Sequence, residues 1–300
     1  MNKLAPLFVI AAASLWGIDS IVLRPHLYTL PVPLVVFIES IIVAVLLLPI
    51  LFKKFSDLRN LKTKDLLAFL GVAIFGGAIG TMAITKALFY VNYVNLSVVV
   101  LMQKLQPVFA LILAAILLKE KLPIQFFIWA GLSVFGAFFM TFGMNIPNLD
   151  TGDKTFIAAL FALLAAFSFG FSTVLSKRAL RNVTYELGTY LRFIISAFLM
   201  FIVVGISGDL SSIRDVSNIQ WYIFLIIAFT SGGLAIFLYY YGLKRITASV
   251  ATIAELSFPL TAILLEYLLH DNILDWLQWL GAILLIYSII QVSKINFKNR

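Results

Sequence analysis

Residues Leu105–Lys119 read LQPVFALILAAILLK, and residues Ser257–Asp271 read SFPLTAILLEYLLHD. Pro107 falls on Pro259, and each proline sits inside an apolar stretch. Working outward at nearly the same offset, Trp16-Gly17 falls on Phe169-Gly170, and Glu39 falls on Arg192. Gly76-Gly77 meets Gly232-Gly233 once a few residues are allowed for in the first half. The chain therefore reads as two related halves, 1–147 and 148–300.

The solvent of this chain is lipid. It is 62% hydrophobic and 12% charged, with a mean hydropathy of +1.04. A soluble domain carries about twice that share of charge, and no soluble core hides so much apolar surface. The net charge of +8 does not point to nucleic acid, because the basic residues form small clusters between apolar runs. There is no cysteine, which excludes disulfides and thiolate metal sites. The start, MNKLAPLFVIAAASLWGID, has the look of a signal peptide. It runs on to Leu23 without a clear cleavage site, so it is expected to be retained as a first span.

A span needs about 20 mostly apolar residues. Ten such stretches are expected, at 4–23, 32–52, 66–90, 96–118 and 124–143, then 155–176, 186–206, 219–242, 247–268 and 273–293. The fold class is thus all-α integral membrane, as two five-helix repeats. An odd number of spans per repeat gives the two copies opposite orientation, an architecture found among secondary transporters.

Charge sets the orientation. With both termini inside, the inner loops hold Lys3, Lys53, Lys54, Arg59, Lys62, Lys64, Lys119, Lys121, Lys177, Arg178, Arg181, Lys244, Arg245, Lys294, Lys298 and Arg300. The outer loops hold Arg24, Lys154 and Arg214. The positive-inside rule then predicts N-in and C-in.

At this point the residues match a known family. Pro107-Val108-Phe109-Ala110-Leu111 leads to Leu118-Lys119-Glu120-Lys121-Leu122, and the second half carries Glu255-Leu256-Ser257-Phe258-Pro259-Leu260. With Trp16-Gly17, these segments resemble the drug/metabolite transporter superfamily in its ten-span EamA-type branch, over essentially the whole chain. Two departures are visible. Glu39 stands where that pattern has Arg, which Arg192 keeps, and His270-Asp271-Asn272 replaces the second Gly-Glu-Arg-type turn. The resemblance implies transport of a small metabolite, with efflux preferred, and leaves the substrate open.

Charges in the middle of a span cost at least ~2.5–3.5 kcal/mol on insertion scales, so they mark function. Asp19, Glu39, Lys86, Lys104, Arg192 and Glu255 are such residues. Glu39 and Arg192 hold matching repeat positions, so they are expected to pair, either as a structural tie or as a gate. Pro107 and Pro259 each remove a backbone donor and free the carbonyl four residues earlier, on Gln103 and Glu255. Broken helices at the midplane are where transporter sites form. The blander alternative is that each proline only bends its helix. Lys104, which shares a face with Ser97, is expected to touch a substrate carboxylate or pair with Glu255. Glu255 is the candidate carrier of a coupling proton. Trp16 and Asp19 share a face that suits a cation, unless Asp19 is simply solvated at the interface. Lys86 and Tyr90 are expected to reach Asp19 or an outer cavity. Of Tyr239, Tyr240 and Tyr241, one or two are expected to line a cavity.

No H-E-x-x-H, G-x-S-x-G or nucleotide-binding loop occurs. Neither a metal nor a cofactor is expected, and an enzyme is disfavoured. The partners are a small-molecule substrate, membrane lipids, and a coupling proton or counter-substrate; a monomer and a homodimer both remain open. The expected place is a bacterial or archaeal plasma membrane. An amino-acid-like zwitterion is the first substrate reading. An exporter of lipophilic cations or drugs, and a scaffold or sensor without transport, are the alternatives.

Overall fold

The computed structural model describes residues 4–90, 99, 102–144, 155–270 and 274–295. Ser97, Asp271, Asn272 and the expected boundary at 147–148 lie outside them. All regular elements among the described residues are helical. Eight helices are long and apolar enough to cross a membrane: Ala5–Leu27 (α1), Thr63–Ala87 (α3), Ile124–Phe142 (α5), Phe156–Ala179 (α6), Tyr185–Ser207 (α7), Asn218–Arg245 (α8), Ala248–Leu269 (α9) and Trp276–Lys294 (α10). Two shorter apolar helices, Val32–Leu46 (α2) and Gln106–Leu117 (α4), fall on the second and fourth expected stretches.

Polarity is arranged for lipid. Ile206, Ile124 and Phe156 are 83%, 73% and 72% exposed, while Ser133, Ser168, Thr189, Ser249 and Ser288 are fully buried at 0%. Large apolar side chains face outward, and small polar residues face the helix contacts. Small residues let helices approach closely where water supplies no driving force.

The helices interlock crosswise. α1 packs on α8 and α9, α6 packs on α3 and α4, α2 lies against α7, and α5 lies against α10. The closest approaches recur at matching offsets. A Cβ on Gly17 would meet the Phe258 carbonyl oxygen at 2.8 Å and the Ala262 nitrogen at 3.2 Å. A Cβ on Gly170 would meet the Gln106 carbonyl oxygen and the Ala110 nitrogen, both at 3.0 Å. The α5–α10 contact is reciprocal, because Gly136 abuts Gly281 and Leu285 while Gly281 abuts Gly136 and Met140.

Two helices break near their prolines. The chain turns at Lys104-Leu105 before α4, with proline in the first turn of that helix. It turns again at Glu255-Leu256, between Ala248–Ala254 and Ser257–His270. Pro259 cannot donate to the Glu255 carbonyl. That carbonyl is not left bare as expected, because the Phe258 N–H donates to it at 2.9 Å in a tighter turn. Three π-turns interrupt other helices: Asp19–Leu23 in α1, Ala73–Ile79 in α3 and Ala228–Gly232 in α8. Such turns occur often at functional sites.

Candidate transport site

The break in α9 places Glu255 among side chains from both halves of the chain. Its Oε1 accepts from the Tyr239 hydroxyl at 2.7 Å and from the Thr173 hydroxyl at 3.3 Å. Its Oε2 accepts from Gln106 Nε2 at 3.1 Å. Glu255 thus joins α9 to α6, to α8 and to the first turn of α4. A carboxylate has about four acceptor positions, so two oxygens can hold these donors and still take another.

An aromatic wall flanks the carboxylate. The Trp16 ring lies 5.4 Å from that of Tyr239, and its Nε1 donates to the Ser231 carbonyl at 3.0 Å. Ser231 belongs to the π-turn of α8. Arg192 comes from α7, with its guanidinium 5.9 Å from the ring centre of Tyr240, the ring beside Tyr239. Thr252 lies one turn before Glu255, its hydroxyl oxygen buried with no hydrogen-bond partner among the described residues. The group combines one carboxylate, one guanidinium, hydroxyl and amide donors, and two aromatic faces.

The residues expected from sequence land as follows. Trp16, Glu255 and Arg192 meet here. Gln103 sits in the turn before the α4 break, and the amide that reaches Glu255 belongs to Gln106, three residues on. Lys104 is half-buried at that break and makes no ion pair with a described residue; Glu255 is held by neutral donors instead. Glu39 does not pair with Arg192. Its Oε1 lies 3.0 Å from Arg24 Nη1, and Arg24 Nη2 lies 2.7 Å from Asp19 Oδ2. The reason is local: the helix past Asp19 ends in a π-turn and a 3-10 turn, which bring Arg24 back over the end of α1 and against α2. Asp19 is buried at 5% exposure and faces Arg24, whereas Trp16 faces α8, so the two do not form one cation site. Lys86 makes no ion pair with Asp19 or any other described residue. It is exposed, with its ammonium 5.8 Å from the Phe161 ring centre, and Tyr90 stacks on the same ring at 5.7 Å.

The sequence reading missed Gln106, Thr173 and Arg24. Gln106 and Thr173 are neutral, so nothing flagged them in an apolar helix. Arg24 was placed in an outer loop, although its spacing of five from Asp19 was visible.

Comparison with known proteins decides the family. The model of the EamA-like transporter family matches twice, over residues 3–142 and 156–294. The chain belongs to the EamA-like transporter family. It is therefore an integral multi-pass membrane transporter, not an enzyme, and the relatives found place it in the bacterial plasma membrane. One relative, from Fusobacterium nucleatum and named riboflavin transporter ImpX, is 44% identical over 97% of each chain. An uncharacterized transporter of Synechocystis is 30% identical over 81% of this chain and 69% of its own. Another, YoaV of Bacillus subtilis, is 24% identical over 97% of each chain. A solved crystal structure shares the fold, with a TM-score of 0.76 at 16% identity over 98% of this chain and 97% of that one.

In this EamA-like transporter the acidic residue of the turn after α4 has a visible task. Glu120 Oε1 accepts from the Ala248 N–H at 2.7 Å, and Oε2 accepts from the Ser249 N–H at 3.1 Å and the Ser249 hydroxyl at 2.6 Å. A residue of the first half thereby caps the N-terminus of α9 in the second half, where exposed N–H groups favour a carboxylate. Nearby, Lys177 donates to the carbonyls of Leu243 and Lys244 at 2.8 and 3.1 Å, and Lys244 donates to the Val183 carbonyl at 2.6 Å. Among the described residues no group of three or more His, Asp or Glu converges as a metal site would require.

Proposed function

We propose that this protein carries a small polar metabolite with a planar ring, riboflavin first, across the membrane by alternating access. The observation that carries the reading is the Glu255 cluster, where a carboxylate at a helix break faces the Trp16–Tyr239 wall. Riboflavin has a flat tricyclic ring, an imide edge with one N–H donor and two carbonyl acceptors, and a polyhydroxylated chain. The wall suits the ring, Glu255 suits the imide N–H, and the Gln106 amide suits a carbonyl. Kinship with a protein named a riboflavin transporter, across nearly the whole chain, supports the same choice.

The mechanism follows from what the cluster ties together. Gln106 comes from the first half, and Thr173, Tyr239 and Glu255 come from the second. A substrate that replaces the Gln106–Glu255 bond unfastens the halves at the midplane, and binding energy is exchanged for movement. Ten spans in two inverted repeats, 1–147 and 148–300, with both termini inside, give that movement its two equivalent ends. The double match of the family model and the recurring glycine contacts support the repeat. Glu255, released from its donors, is the group to carry a coupling proton.

The opposite charges of Glu255 and Arg192 favour a second reading, an amino-acid-like zwitterion. Counterflow in proteoliposomes separates the two. Vesicles loaded with unlabelled riboflavin should accumulate labelled riboflavin, and Glu255→Gln and Tyr239→Phe should weaken the exchange. Each substitution removes a charged hydrogen bond of about 1.5–3 kcal/mol, so affinity should fall roughly tenfold or more. Exchange of amino acids without riboflavin would replace the first reading by the second. No saturable exchange of either would sink the transport reading of this cluster.

A further inference from the structure

A second concave site lies away from the Glu255 cluster, on the basic face of the molecule. It is about 800 Å³ in volume, and three separate stretches line it: the start of α3 (Lys62, Lys64, Asp65), the end of α4 (Lys119) and the end of α6 (Arg178, Arg181). Five cations therefore surround one carboxylate. Asp65 is buried and turned to Asn182 Nδ2, at 3.0 and 3.3 Å. None of the five cations makes an ion pair with a described residue.

Placement on the cytoplasmic face explains why basic residues are here at all, but not how these are used. Their neighbours Lys177, Lys244 and Arg245 all donate to backbone carbonyls. Lys62, Lys64, Lys119 and Arg178 make no such bond among the described residues, and Arg181 makes a single long one, 3.4 Å to the Leu118 carbonyl. Lys119 is held with φ at +56°, the one described non-glycine residue with positive φ, which aims the turn at the pocket rim. Concavity and an excess of positive charge drawn from three elements together call for an anion of more than one charge.

We propose that this pocket binds a phosphate-bearing anion. Phosphate offers three oxygens and up to two charges, and it suits the fork of Arg178 and the point charges of the lysines. Two sources share that chemistry, the headgroup of an anionic phospholipid and a soluble phosphate compound. Because the pocket is lined by α3 and α4 from the first half and α6 from the second, its occupant bridges the halves and biases the equilibrium between their arrangements.

The test measures thermal stability of the full chain at constant ionic strength. One arm titrates inorganic phosphate against chloride in detergent, and the other compares nanodiscs of phosphatidylglycerol with nanodiscs of phosphatidylcholine. The wild type is set beside Lys119→Gln/Arg178→Gln, the charge-keeping Lys119→Arg/Arg178→Lys, and Lys53→Gln/Arg59→Gln, which removes two charges outside the pocket. A rise with phosphate, weakened at least about tenfold in apparent affinity by the first double variant alone, supports the proposal with a soluble source. A rise with phosphatidylglycerol alone, lost in the same variant alone, supports it with a lipid source. The charge-keeping variant retains the effect in either case. No rise in either arm, or an equal loss in the Lys53/Arg59 control, overturns it.

Discussion

Asp19, Arg24 and Glu39 are a cluster of one cation and two carboxylates in a largely apolar surrounding, so its members are unequal. Removing Arg24 leaves two like charges facing each other, whereas removing Glu39 leaves a matched pair. Arg24→Gln should therefore destabilise the protein by about 3–5 kcal/mol, the range for orphaned buried charge, and Glu39→Gln by clearly less. A double-mutant cycle in denaturant checks the assignment. Arg24 and Glu39 should show a coupling above about 0.5 kcal/mol, and Glu39 and Arg192 should show less than that. A coupling for Glu39 and Arg192 as large as that for Arg24 and Glu39 would restore the pairing read from the repeat. The residue scale also shows why the sequence spoke for some of the site and not the rest. Glu255 and Arg192 stand out because charge is rare in an apolar helix. Gln106 and Thr173 carry no such contrast; the breaks in α4 and α9 set Gln106 and Glu255 in place, and Thr173 meets them from the unbroken helix α6. The equivalence of Glu39 and Arg192 in the repeat was legible, but equivalence does not say which side chain is nearer, and a π-turn decided that.

At the scale of elements, the α5–α10 contact carries its own prediction. A Cβ on Gly281 would sit 2.8 Å from the Gly136 carbonyl oxygen and 2.9 Å from the Phe139 carbonyl carbon, with the Met140 nitrogen closer still. These are backbone atoms on a packed helix, so nothing flexible can yield. Gly281→Ala should cost about 1–3 kcal/mol, as overpacking does, read as a lower Tm in detergent. Gly131, in the same α5 helix, has no atom within 4 Å of its would-be Cβ. Gly131→Ala should be neutral or stabilise by up to about 1 kcal/mol from helix propensity. Equal effects at both positions would show that propensity and not helix contact governs this pair. A proline marks where a helix can lose a bond but not what replaces it, and at the Glu255 carbonyl the Phe258 N–H takes the place. The π-turns had no such sign, since an extra residue in a turn leaves hydropathy unchanged.

The whole molecule rests on an orientation that charge alone predicts. The expectation of two related halves says nothing of α1 lying on helices α8 and α9 or of α6 lying on α3 and α4. Crosswise packing comes from contacts between faces of similar hydropathy, which a sequence does not distinguish. The orientation, by contrast, has a direct test that the composition makes clean. The chain contains no cysteine, so a single introduced thiol reports alone. Arg59→Cys lies in the basic connection after α2, and Arg214→Cys lies in the connection between α7 and α8. With both termini inside, a membrane-impermeant maleimide added to intact cells should label the thiol at position 214 and leave the one at 59 unlabelled until the membrane is opened. The basic pocket and the Glu120 clasp then face the cytoplasm, where soluble phosphate compounds and inner-leaflet headgroups both reach them. The reverse pattern would turn that pocket outward and remove the soluble source from the phosphate proposal. Labelling at both positions in intact cells would mean that the clustered lysines and arginines do not fix a single orientation, and that the two repeats exchange places in the membrane.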